Sequence, residues 1–106
     1  MFGDPEEGYR RVDDWQAAIE ARAARARELA QRQSELGATV SVAEGSVTAT
    51  VDHSGRLTTL KLDDRVRGWS LEKLSRTVIE ANDAARQAVR TQLDQLIDEA
   101  GLRDAP

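Results

Sequence analysis

Apolar residues return along this chain in three different rhythms. From Val12 to Leu36 the recurring positions are Trp15, Ile19, Ala26, Leu29 and Leu36, at steps of three, four and seven. That spacing draws one stripe along a helix. Arg22 and Gln33 interrupt the stripe, and the remaining positions are rich in the helix formers Ala, Arg, Glu and Gln. Asp13 or Asp14 suits the start of such a helix, and Gly37 suits its stop.

The rhythm then drops to two. "ATVSVAEGSVTATVDHSGRLTTLKLDD" alternates β-branched or apolar residues with polar ones. Val40 and Val42 mark a first strand, and Val47, Ala49 and Val51 a second. Leu60 and Leu62 mark a third, with Leu57 out of phase at its start. "AEGS" and "DHSG" are the turns between them. Three neighbouring strands joined by short turns predict an antiparallel meander. One face is apolar. The other, with Thr48, Thr50, Thr59 and Lys61, can meet water.

A helical rhythm resumes after the loop "RVRGW". Ser70 is placed to cap the helix, and Glu72 falls in its first turn. Leu71, Leu74, Val78, Ala81, Ala85, Ala88, Val89, Leu93, Leu96 and Ala100 hold one stripe until Gly101. Roughly 30 helical residues span about 45 Å, whereas a globule of about 100 residues has a radius of gyration of only about 13 Å. Such a helix overhangs its own sheet, and its stripe needs a partner. A second copy of the chain is the simplest one. Leu71, Leu74, Val78, Asn82, Ala85, Val89 and Leu93 form the expected seam.

The expected class is therefore α+β: helix, three-stranded meander, long helix. Residues 1–11, with Gly3, Pro5 and Gly8, read as a flexible lead-in. Residues 12–101 read as the domain, and residues 102–106 as a short tail. Asn82 and Asp83 are indifferent helix formers inside the long helix. Asp83 falls on the outer face, where Arg86 is three residues away. Asn82 lies at the edge of the stripe. It either fixes register between paired helices or bonds a carbonyl of its own subunit.

Composition narrows the chemistry. Cysteine is absent, which removes disulfides and thiol catalysis together. No apolar run approaches the roughly 20 residues of a membrane span, and the start "MFGDPEEGYRR" does not look like a signal peptide. A cytoplasmic location is the expectation. His53, the single histidine, sits in the turn "DHSG" with only Asp52 nearby, too little for a metal or catalytic site. No phosphate-binding glycine loop occurs. No enzyme activity, metal or cofactor is expected.

The net charge is −4. Residues 1–14 hold five acids against two arginines, and residues 94–106 hold four acids against one, so each end carries −3. The stretch between them is mildly basic, at +2. Arg25 and Arg32 lie seven apart along one edge of the first stripe, with Arg22 nearer its centre. Arg86 and Arg90 form a four-residue ridge on the second helix, partly offset by Asp83 and Asp94. Charges at these spacings serve solubility by default. They can also add up as phosphate contacts in a dimer. No aromatic platform for single strands is visible, so duplex backbone is the better nucleic-acid partner.

The cadence Gly45, Val47, Val51, Gly55, Leu57, Leu60, Leu62, Asp63, followed by Ala81-Asn82-Asp83-Ala84, resembles the YbaB/EbfC family of small bacterial nucleoid-associated proteins. The resemblance covers roughly residues 15–95. It implies an intertwined homodimer with protruding helices, located on the nucleoid and binding duplex DNA with little sequence preference. Arg22, Arg25, Arg32, Arg86 and Arg90 are then the expected DNA contacts. Some relatives of this fold look like accessory or stabilising proteins of secretion systems. The alternative expectation is therefore a protein-interaction module that uses the same helices.

Overall fold

The computed structural model describes the backbone of residues 5–101 and the side chains of residues 11–101. The elements are helix α1 (Pro5–Ser34), strands β1 (Gly37–Val42), β2 (Val47–Asp52) and β3 (Leu57–Leu62), a 3-10 turn (Asp64–Gly68) and helix α2 (Leu71–Glu99). The class is α+β, as the rhythms predict. The chain divides into two compact units, the first ending at Arg32 and the second beginning at Gln33.

Helix α1 starts earlier than its apolar stripe. The segment 5–11, read as a flexible lead-in, is helical from Pro5 onward. Proline is welcome at a first helical position, because its fixed φ suits the helix and its missing N–H would have had no partner there. Asp13 and Asp14 accordingly lie inside the helix rather than at its start. The helix stops at Ser34, and Gly37 opens β1 instead of capping α1.

In the second unit the sheet order is β1-β2-β3, antiparallel throughout. Val47, Ala49 and Val51 of β2 are fully covered, and the core continues into Ala81, Ala85 and Val89 of α2. Small residues at the helix contact let the α2 backbone lie close to the sheet. The opposite sheet face carries hydroxyls. Thr39 pairs with Thr50 at 2.8 Å and Ser41 with Thr48 at 2.7 Å, oxygen to oxygen across the β1–β2 ladder. Thr59 and Lys61 continue those two rows on β3.

Leu57 is brought into phase by a β-bulge. Val47 pairs with Leu62, Ala49 with Leu60, and Val51 with Leu57, the ladder slipping by one residue between Thr50 and Val51. Thr58 is the extra residue, and its hydroxyl donates to the Thr50 carbonyl at 3.2 Å. A bulge sets two residues of one strand against one of its partner. All three leucines thus share the α2-facing side of the sheet, although the sequence alternation breaks between Leu57 and Leu60.

Helix α2 is capped as its sequence suggests. The Ser70 hydroxyl accepts from the Lys73 N–H at 3.1 Å, and Gly101 takes the left-handed conformation, φ +70°, just past the end. Its 29 residues are about 44 Å long, against about 20 Å for a six-residue strand. Leu71, at the N-terminal end, is accordingly 81% exposed. A second attachment was not visible in the sequence. The Gln92 amide clips both backbone groups of Gly37, donating to its carbonyl at 2.8 Å and accepting from its N–H at 3.2 Å.

Candidate nucleic-acid interface

The expected DNA contacts fall on both helices. Arg22, Arg25 and Arg32 are exposed on α1, and Arg86 and Arg90 are exposed on α2. Arg22, Arg25 and Arg32 belong to the first unit, whereas Arg86 and Arg90 stand together four residues apart in the second. Arg86 reaches over the β2–β3 turn: a Cβ at Gly55 would stand 3.3 Å from its Nε. Gly55 has φ +82°, where a side chain would also strain the backbone.

That turn is a rigid mount. One carboxylate oxygen of Asp52 accepts from the Ser54 hydroxyl at 2.6 Å, the Ser54 N–H at 2.9 Å and the Arg56 N–H at 3.0 Å. These bonds, led by that of the Ser54 hydroxyl and then that of the Arg56 main chain, hold the Asp52 carboxyl below the usual carboxylate range. His53 is an exposed residue of the same turn. Among the described residues no cluster of acids and histidine is arranged to hold a metal.

A further basic group follows β3, outside the two helical stripes. Arg65 and Arg67 lie on the 3-10 turn, and Lys73 and Arg76 on the first turns of α2. Asp63 caps the 3-10 turn, accepting from the Arg65 N–H and from Arg65 Nε, both at 2.9 Å. The main-chain bond and then the guanidinium keep the Asp63 carboxyl below its ordinary range. Arg67 faces Asp64 at 3.4 Å. Lys73 Nζ sits 4.3 Å above the centre of the Trp69 ring. "RVRGW" signalled a loop, but nothing in the one-dimensional pattern showed that it folds back against the β1–β2 turn.

The expected seam residues divide. Ala85 and Val89 are covered by their own sheet, Leu74, Val78 and Leu93 are half-buried, and Leu71 is open. Asn82 is half-buried, and among the described residues its side chain makes no hydrogen bond. Leu71, Ser75, Ile79, Asn82 and Arg86 recur at four, four, three and four residues, which is one row on a helix flank. Since Arg86 meets Gly55 at the β2–β3 turn, this row is the flank beside β3.

The model of the YbaB/EbfC DNA-binding family matches residues 10–101, nearly the whole of what has been described. The chain belongs to that family. No curated protein and no solved structure matches it. The YbaB/EbfC membership agrees with the strand cadence and with the Ala81-Asn82-Asp83-Ala84 element of α2. No helix among the described residues is long and apolar enough to cross a membrane.

Proposed function

We propose that the protein is a non-catalytic, nucleoid-associated binder of duplex DNA with little sequence preference, acting as a homodimer. The observation that carries this reading is the family match across residues 10–101. Arg22, Arg25, Arg32, Arg86 and Arg90 supply the phosphate contacts. The dimer contact is the uncovered apolar strip of Leu57, Leu60 and Leu62 together with Leu71, Ile79 and Asn82 on the adjoining flank of α2. A two-fold repeat doubles each modest basic ridge, and binding through phosphates carries no direct sequence information.

The net charge of −4 opposes close approach to DNA, so affinity is weak and dependent on salt. Neutralising n phosphates gives a slope of about −0.9n in log affinity against log salt. We expect micromolar binding in about 50 mM salt, mostly lost by about 200 mM, in gel shifts on two duplexes of unrelated sequence. Arg25→Glu with Arg32→Glu weakens binding to both alike. A wild-type dimer that gives no shift at low salt removes the DNA reading.

In that event a protein partner is the better reading. Trp15, Ile19, Val12 and Ile79 are exposed apolar side chains on helices of an acidic protein, features that suit a protein surface better than a phosphate backbone.

A further inference from the structure

The β1–β2 turn and the start of α2 flank a cleft of about 370 Å³. Ala43, Glu44, Ser46, Arg65, Trp69 and Lys73 line it. Three observations give it a chemical character. Ser46 is only 3% exposed yet borders the cleft. Its carbonyl accepts from the Asp63 N–H at 2.9 Å, but among the described residues its hydroxyl has no hydrogen-bond partner.

Lys73 holds its ammonium over the Trp69 ring. Among the described residues no carboxylate lies within ion-pair distance of it. Arg65 is fixed on two sides, by Asp63 and by the Glu44 carbonyl, which accepts from Arg65 Nη2 at 3.0 Å. That carbonyl is presented by an unusual backbone. Ala43, Glu44 and Gly45 are left-handed in succession, with φ of +53°, +59° and +84°. Non-glycine residues avoid this conformation unless their surroundings hold them in it.

We propose that this cleft binds a phosphate group. Lys73 supplies the positive charge from its place over Trp69, the Ser46 hydroxyl donates a hydrogen bond, and Arg65, its charge already shared with Asp63, adds its remaining guanidinium N–H groups at a fixed position. The Glu44 side chain at the border favours a singly charged phosphodiester over a phosphate dianion. A DNA backbone phosphate is therefore the expected source, and that choice of source rests on the function proposed above. The recognition of phosphate itself does not.

Trp69 is a built-in reporter. In a Trp15→Phe variant it is the only tryptophan. Its emission is followed in two titrations, one with a short duplex at low salt and one with inorganic phosphate at constant ionic strength. We expect a saturable change with duplex, abolished by Lys73→Gln. In gel shifts the same substitution makes the salt slope shallower by about 0.9 per contact removed. Lys73 is exposed, so the variant keeps its fold. Saturation by inorganic phosphate that Lys73→Gln abolishes also supports the cleft, with free phosphate as the source. No saturable change in either titration, or a change that survives Lys73→Gln, overturns the proposal. If the duplex does not bind at all, the function proposed above fails while the phosphate titration still decides the cleft.

Discussion

Strands β2 and β3 lie side by side, and their apolar residues face the same way. Val47, Ala49 and Val51 are 0%, 0% and 1% exposed, whereas their ladder partners Leu62, Leu60 and Leu57 are 47%, 39% and 37% exposed. The larger side chains are the open ones. Helix α2 packs across β1 and β2, and every residue of β3 remains accessible. Alternation in a sequence therefore fixes which face a residue takes, but what covers that face is decided elsewhere. Here a single helix, about 10 Å wide, cannot roof three strands spaced nearly 5 Å apart. The strip left over is apolar, and the dimer proposed above is what would cover it.

The strongest way to sharpen this comparison is to place the same charge on both sides of it. Ala49→Asp buries a carboxylate without a partner under α2. A loss of about 3–5 kcal/mol is expected, close to the whole stability of a small domain, and the far-ultraviolet circular dichroism of the variant should report unfolding. Leu60→Asp changes the residue paired with Ala49. In an isolated subunit it should cost about 1 kcal/mol or less, as surface substitutions do. In the dimer it puts charge into the contact. Light scattering should report twice the 11.7 kDa chain mass for the wild type and one chain mass for Leu60→Asp. A Leu60→Asp protein that remains dimeric would show that the β3 strip is not the dimer surface.

A smaller effect is expected at Asn82, on the α2 flank beside that strip. With no local bond to lose, Asn82→Leu should keep or raise the thermal midpoint while altering the oligomeric state, as replacing a register-setting amide does. A loss of about 1–3 kcal/mol with the dimer unchanged would instead mean that the amide satisfies a neighbour in its own subunit.

How far the sequence could be read follows from the same contrast. The three rhythms, the Ser70 cap, the Gly101 stop and the hydroxyl face were all legible, because each depends on residues close in sequence or on strict periodicity. Leu57 was legible only as an exception, since a bulge is a property of the ladder and not of one strand. The early start of α1 was hidden because Gly3, Pro5 and Gly8 look like breakers until Pro5 is recognised as a first-turn residue. The clip from Gln92 to Gly37 joins residues 55 positions apart, and no pattern along α2 announces it. The candidate arginines were legible as charges at helical spacing. The Ser46, Arg65 and Lys73 cleft was not, because it exists only once the β1–β2 turn meets the start of α2.

The smallest expected effect concerns how β3 is attached to β2. Asp52 ends β2 at the turn into β3, Asp63 follows the last residue of β3, and both carboxyls titrate lower in the folded chain than they would in an unfolded one. Their stabilising contribution is therefore present above the ordinary carboxylate value, near 3.9. It is lost as pH falls through the lower folded values. Thermal midpoints measured from about pH 6 down to about pH 2 should fall mainly below pH 4. Asp52→Asn should flatten that acid limb and loosen amide-exchange protection at the start of β3, while leaving α2 protected. An unchanged acid limb would mean that the turn contributes nothing to holding β3.

The bulge at Thr58 also bears on how the lengths of such chains can vary. A chain lacking residue 58 would read Leu57, Thr59, Leu60, which is plain alternation, and would keep the same three leucines on the same side of the sheet. One residue can thus be gained or lost at this point without turning the strand over. The same change between Leu60 and Leu62 would shift every later side chain to the opposite face. Insertions and deletions among related genes should accordingly collect at the first two residues of β3 and be absent from its second half.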